Sequence, residues 1–81
     1  MIHEEMTLGD VAIVLAAAGM KIVRLESEGR EFVAKIRVAD AHLPEDCAVR
    51  HAEGRGATIA AALEDARQGW IGYLHLRGGV A

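Results

Sequence analysis

The chain has 81 residues, of which 52% are hydrophobic and 26% charged, and its formal net charge at pH 7 is −3. This length supports one small domain with a marginal core, and the apolar content exceeds that of a disordered segment. The acidic balance disfavours nonspecific nucleic-acid binding, and the single cysteine excludes an internal disulfide and a multi-thiolate metal site.

Hydropathy and cysteine content also bear on location. The longest apolar run, Val11 to Ala18, is much shorter than the roughly 20 residues of a membrane-spanning helix, and no basic leader precedes it. The lone thiol of Cys47 suits a reducing compartment. We therefore expect a soluble, cytoplasmic protein that makes no use of a membrane. A single domain is expected over residues 1–81, with residues 1–6 and 78–81 as flexible ends.

The first predicted element is an amphipathic helix from Leu8 to Ala18. Thr7 and Asp10 have the spacing of a capping box, and Gly19 suits the left-handed position that ends a helix. The apolar stripe expected to face the core is Leu8, Val11, Leu15 and Ala18. The opposite face is also apolar, with Ile13, Ala16 and Ala17. This second apolar face leaves a monomer and a homodimer equally open.

A β-hairpin is predicted next. Side chains alternate from Met20 to Glu28 and from Glu31 to Val38, with Gly29 and Arg30 as the turn. The side expected to face the helices carries Val23, Leu25, Ala34, Ile36 and Val38. The side expected to face water, with cross-strand ion pairs, carries Arg24, Glu26, Lys35 and Arg37.

The second half of the chain predicts a third strand and a second helix. Residues 40–46 form a loop around the only proline, and Cys47 to Ala52 is the third strand. Gly54 and Gly56 are then expected to break the chain. A helix capped by Thr58 should follow and end before Gly69. Its apolar stripe is Ile59, Ala62, Leu63 and Ala66. Residues 70–77 are expected to form either a short additional strand or a tail packed on the core.

This α-β-β-β-α order predicts a two-layer α+β sandwich. Both helices have one apolar stripe to bury, so both should lie on the same face of a three-stranded antiparallel sheet. The order resembles the double-stranded-RNA-binding-domain fold. That family binds RNA through the first helix, the first hairpin loop and a Lys-rich start of the second helix. Here Arg55 is the only cation at that start, so the resemblance is one of topology.

A second resemblance covers residues 32–68. The stretch Gly54-Arg55-Gly56-Ala57-Thr58, followed by an Ala- and Leu-rich helix, resembles small bacteriophage and mobile-element proteins, some of which are anti-CRISPR inhibitors. The resemblance implies a non-enzymatic protein-binding inhibitor that blocks DNA binding by a CRISPR effector such as Cascade, in the host cytoplasm if a phage encodes the chain. HicB-type antitoxins resemble the same stretch, so the alternative is a HicB-like antitoxin or a nucleic-acid-binding module that resembles the double-stranded-RNA-binding domain.

No catalytic, cofactor or metal site is predicted. The histidines lack the paired spacing of metal ligands. They are His3, His42, His51 and His75; His51 is expected to be partly buried in a strand, and His42 and His75 exposed. Cys47 is expected to be a small core residue. Trp70 and Tyr73 are expected to be core residues, with a role as interface anchors as the alternative.

The predicted partner-binding site is an acidic edge. Its six residues are placed at the hairpin tip and in the loop after the second strand: Glu26, Glu28, Glu31, Asp40, Glu45 and Asp46. Such an edge could engage a basic groove as a nucleic-acid mimic does, and the predicted partner is a protein such as a CRISPR effector complex. The alternative is that these side chains only keep the protein soluble.

Overall fold

The computed structural model describes residues 6–40 and 49–77, and over them it has the predicted α+β architecture. The elements in chain order are helix α1 (Leu8–Ala17), strands β1 (Met20–Glu28), β2 (Glu31–Val38) and β3 (His51–Gly56), and helix α2 (Ile59–Arg77). The strands form one antiparallel sheet in the order β1-β2-β3. Among the described residues, no helix combines the length and apolar character that crossing a bilayer requires.

Helix α1 has the predicted caps. The backbone N–H of Asp10 donates to Thr7 Oγ1 at 3.1 Å, and the N–H of Thr7 donates to Asp10 Oδ2 at 3.4 Å. The helix ends at Ala17, one residue before the predicted end, and Gly19 follows with a φ of 76°. A left-handed φ is open to glycine without steric strain, which explains why the chain reverses here.

The hairpin turn also forms as predicted. Glu28 pairs with Glu31 across the ladder, so Gly29 and Arg30 make a two-residue loop. Gly29 has a φ of 62°, as the tight turns that match strand twist require. The local sequence therefore fixes where β1 and β2 begin and end.

The register within the hairpin differs from the prediction because β1 contains a bulge. The pairing shifts between Ile22 and Arg24, which leaves Val23 as an extra residue. Ile22 rather than Val23 lies opposite Ile36, and Val23 is 43% exposed. The prediction that Val23 faces the helices is wrong. Leu25, beyond the bulge, packs against the core as predicted.

The predicted cross-strand ion pairs between β1 and β2 are also wrong. The register set by the two-residue turn places Arg24 opposite Lys35, and beyond the bulge Lys21 lies opposite Arg37, so cations face cations. The ion pair that forms runs along β1, where Arg24 Nε lies 3.2 Å from Glu26 Oε1. This face of the hairpin therefore carries positive charge that its own strands do not neutralise.

Strand β3 starts later than predicted. It covers His51–Gly56 instead of the predicted range 47–52, and Cys47 lies outside the described residues. His51 was predicted to be partly buried, but its side chain is exposed. The glycines expected to break the chain belong to this strand, and only Ala57 and Thr58 separate it from α2.

Close packing of α2 explains the glycines of β3. A Cβ at Gly54 would lie 2.8 Å from Ala66 Cα, and still closer to the backbone of α2 at Ala62 and Ala66. A Cβ at Gly56 would lie 2.6 Å from Ala61 Cβ. Separations this short are not compatible with van der Waals contact. Glycine on the strand and alanine on the helix are therefore needed for α2 to lie directly on β3.

Helix α2 is longer than predicted. Its cap is the predicted one, since the N–H of Ala61 donates to Thr58 Oγ1 at 3.0 Å. The helix continues through Gly69 and Gly72 to Arg77, so the predicted additional strand is wrong. The alternative, a segment packed on the core, is confirmed for Trp70, but the segment is helical. Trp70 continues the stripe of Leu63 and Ala66 and is only 3% exposed. Burial of this large ring stabilises a helical turn that the glycines disfavour.

One core joins both helices to the same face of the sheet, as predicted. Its buried members are Val11, Leu15, Met20, Ala34, Ile36, Val38, Ala60, Ala62, Leu63, Ala66 and Trp70. Met6, expected to belong to a flexible end, packs against this cluster, while residues 1–5 and 78–81 lie outside the described residues. The other face of the sheet is left without a covering layer among the described elements.

Candidate interaction surface

The sheet face opposite the helices is the candidate interaction surface, and we call it the open face. Its exposed and half-exposed charged side chains come from all three strands: Lys21, Arg24, Glu26, Glu28, Glu31, Lys35, Arg37, Glu53 and Arg55. They alternate along each strand with residues that face the core. These side chains include two groups: a tip cluster (Glu26, Glu28, Glu31, Arg55) and a basic half (Lys21, Arg24, Lys35, Arg37).

The tip cluster is organised by one guanidinium. Arg55 Nη1 lies 3.8 Å from Glu28 Oε1 and 3.9 Å from Glu31 Oε2. These two carboxylates face each other at the end of the ladder, and like charges directly opposite are destabilising. Arg55 therefore relieves their repulsion. Arg30 in the adjoining turn adds another cation, so the tip carries mixed charge instead of being purely acidic.

Helix α2 positions the backbone that carries Arg55. The N–H of Arg55 donates to Asp65 Oδ2 at 2.9 Å. Asp65 lies one turn after Ala61, and Ala61 packs on the same strand at Gly56. A charged acceptor makes this hydrogen bond stronger than one between neutral groups. The guanidinium that pairs with the carboxylates of the tip cluster therefore extends from β3, whose backbone is hydrogen-bonded to α2.

The structure brings together only part of the predicted acidic edge. Glu26 is on the open face near the tip, where its carboxylate pairs with Arg24, and Glu28 and Glu31 are at the tip itself. Asp40 lies beyond the far end of β2 and forms an ion pair with Arg50. The remaining two predicted residues, Glu45 and Asp46, lie outside the described residues.

Sequence reasoning missed the basic half. It assigned Arg24, Lys35 and Arg37 to ion pairs and placed Lys21 on the other side of the sheet. Among the described residues, a carboxylate lies within ion-pair distance of only one member, Arg24. The signal in the sequence was the pair Ile22-Val23, because two consecutive apolar residues break strict alternation and mark a bulge.

One cavity adjoins the open face, and another lies on the helix side of the sheet. One, of about 360 Å³, lies where α1 ends and β1 begins, and Lys21, Arg37 and Asp40 are among its lining residues. The other, of about 270 Å³, lies between the starts of the two helices and is mostly apolar, with Leu8 and Phe32 in its lining. The first cavity makes one corner of the basic half concave.

The histidines and aromatic residues considered as metal ligands or interface anchors do not form a second site among the described residues. Within the described ranges, no group of three or more His, Cys, Asp or Glu side chains could hold a metal ion. His75 is exposed, as predicted, and His3, His42 and Cys47 lie outside the described residues. Trp70 is a core residue, as predicted, and Tyr73 stacks on it with ring centroids 5.4 Å apart.

Comparison with protein-family models, with curated protein sequences and with solved structures finds no match for this chain. The family resemblance of residues 32–68 therefore stays a prediction.

Proposed function

We propose that this protein is a non-enzymatic inhibitor of the anti-CRISPR type, which binds an effector complex such as Cascade and blocks its access to target DNA. The observation that carries the proposal is the open face, where charged side chains from three strands stand on a rigid sheet backed by the core. Charged groups on a preorganised surface favour specific docking, because they need little ordering when a partner binds.

The tip cluster gives the proposal its mechanism. Glu28 and Glu31 stand at the end of the hairpin with side chains about half exposed, 52% and 55% respectively. Carboxylates presented in this way can occupy sites where a basic groove would otherwise bind phosphates. Behind the tip, the folded body measures 36 × 24 × 21 Å and excludes DNA from the neighbouring surface. Electrostatic competition and steric occlusion then act together.

A competition experiment tests the proposal. A purified Cascade-type effector carrying its guide RNA is mixed with a labelled target duplex, and binding is followed by fluorescence anisotropy as this protein is added. We expect target binding to fall as the inhibitor approaches the effector concentration. Target binding that is unchanged at saturating inhibitor would contradict the proposal. Leu63→Asp, which buries a charge in the core, supplies an unfolded control.

A double variant tests the role of the tip. Glu28→Gln/Glu31→Gln removes two exposed negative charges and should weaken inhibition about tenfold or more, with little change in melting temperature. The matched control, Ala12→Lys/Gln68→Lys, makes the same change in net charge at exposed helix positions away from the open face. Equal weakening by both variants would assign the effect to net charge and exclude the tip as the contact.

A second candidate function, a HicB-like antitoxin or another nucleic-acid-binding module, is favoured by the four cations of the basic half. One observation argues against it. The chain has one Phe, one Tyr and one Trp; Phe32, Trp70 and Tyr73 all pack against the core on the helix side, so among the described residues the open face offers only the imidazole of His51 for base stacking. Binding of RNA or DNA that falls steeply with salt would favour this candidate.

A further inference from the structure

The basic half is an arrangement that the fold itself does not favour. Lys21 lies opposite Arg37, and Arg24 lies opposite Lys35. Directly opposite residues have Cβ atoms about 5 Å apart, and like charges at that separation destabilise a sheet. Lys21, Arg24 and Arg37 are exposed and Lys35 is half-buried. Four cations are thus held together at a cost in stability, which points to a role in binding.

The charge of the basic half is opposite to that of the rest of the chain. The chain has nine Lys and Arg residues and twelve Asp and Glu residues, so the other five cations stand against all twelve acids. Three described carboxylates adjoin the patch, and one of them, Asp40, forms an ion pair with a cation outside it. Glu26 forms an ion pair with Arg24. Glu53 lies opposite Lys35 but forms no ion pair within the described residues. The patch is therefore a local positive field on an acidic molecule.

The size of the patch favours a short acidic segment over a nucleic acid. From Lys21 to Arg24 the patch extends about 10 Å along β1, and from β1 to β2 it extends about 5 Å. A DNA duplex carries a negative charge about every 1.7 Å, so it would continue past the patch toward the carboxylates of Glu28 and Glu31. A few Asp or Glu side chains of a protein match the patch without meeting that repulsion.

We infer that the basic half binds an acidic segment of the partner protein, with the guanidinium groups of Arg24 and Arg37 donating N–H hydrogen bonds to its carboxylates. Val23, 43% exposed at the bulge beside them, adds apolar contact. The inference rests on the proposed function, because it specifies the chemistry of the partner surface. That surface is acidic against the basic half and basic against the tip cluster.

The test uses two probes of equal net charge: a short labelled peptide of alternating Glu and Asp, and a short labelled DNA duplex. Binding of each is measured at low and physiological salt for the wild type and for Lys21→Gln/Arg37→Gln. We expect the wild type to bind the peptide more tightly than the duplex. The variant should lose at least about tenfold in peptide affinity.

The matched control is Arg30→Gln/Gln68→Glu, which makes the same change in net charge at exposed positions outside the basic half. Its peptide affinity should stay within about twofold of the wild type. Thermal melting verifies that Lys21→Gln/Arg37→Gln is folded. Its melting temperature at low salt should equal or exceed that of the wild type, because a like-charge pair has been removed.

Three results would overturn the inference: tighter binding of the duplex than of the peptide, no peptide binding, or an equal loss of peptide affinity in both variants. The first would assign the patch to nucleic acid. Failure of the proposed function is measured separately by the effector competition experiment. If the wild type inhibits the effector but does not bind the peptide, the proposed function stands and only this inference is overturned.

Discussion

Gly54 is the residue on which the contact between α2 and β3 depends most directly. The space that a Cβ would occupy is filled by the backbone of α2 at Ala62 and Ala66. Backbone atoms cannot move aside as a flexible side chain can, so a methyl group here must displace the whole helix. The requirement for glycine at this position is steric and does not depend on φ, since Gly54 lies in a regular strand.

We therefore predict that Gly54→Ala destabilises the protein by about 1–3 kcal/mol or more. Urea unfolding monitored by circular dichroism measures the change in free energy of unfolding. Gly29→Ala is not a suitable control, because the φ of 62° at Gly29 adds strain of its own. If the Gly54→Ala variant had the same urea midpoint as the wild type, α2 would not lie on β3 as described.

At the scale of elements, the length of α2 is decided by its buried face. Gly69 and Gly72 are exposed, and a Cβ at either position would meet no atom within 4 Å. Glycine inside a helix is unfavourable relative to alanine because of the backbone entropy lost on folding. The last turns of α2 are therefore stabilised by Trp70 and the partly buried Tyr73 and Leu74 that pack on the core.

The corresponding prediction is that Gly69→Ala and Gly72→Ala each stabilise the protein by about 0.5–1 kcal/mol. Both alanines should also strengthen the helical circular dichroism signal. The two variants are controls for Gly54→Ala in the same unfolding assay, because a Cβ added at either position meets no neighbouring atom. If residues 70–77 formed a strand or a loose tail, the substitutions would leave both stability and helical signal unchanged or reduce them.

Predictability from sequence also differs among the elements. The bounds of helix α1 and of the two hairpin strands were predicted nearly to the residue, because a capping box, an alternating pattern and a two-residue turn are local signals. The end of β3 and the end of α2 were not. In both places glycines contradict the local propensity, and only the contact of Gly54 with α2 and the burial of Trp70 explain them.

The candidate site was predictable only in part, for the same reason. The acidic residues of the hairpin were found from the sequence, but their sharing of Arg55 was not, because β3 had been assigned other residues. The basic half depends on the bulge at Val23, which changes the register by one residue. That shift moves Lys21 from the predicted core side to the open face. The position of Arg24 opposite Lys35 follows instead from the two-residue turn, so the predicted ion pairs did not fit the predicted turn.

For the whole molecule, both helices and the sheet share one core, so it should unfold as a unit. Leu15 of α1 and Leu63 of α2 are each completely buried. Replacing either with Asp places an unpaired charge in that core at a cost of several kcal/mol, which is comparable to the stability of a domain of this size. We predict that each variant loses the cooperative thermal transition, measured by circular dichroism. A retained transition in both would contradict the core assignment.

The hydrogen bond from Arg55 to Asp65 also affects how the protein behaves at high concentration. The outer strand of a sheet is a template on which a neighbouring chain can add a strand, leading to aggregation. Asp65 occupies a backbone donor that such a strand would need on β3, and the bulge at Val23 disrupts the ladder geometry on β1. Both margins of the sheet are thus poor templates, so the folded protein should stay dispersed and meet its partners through the open face.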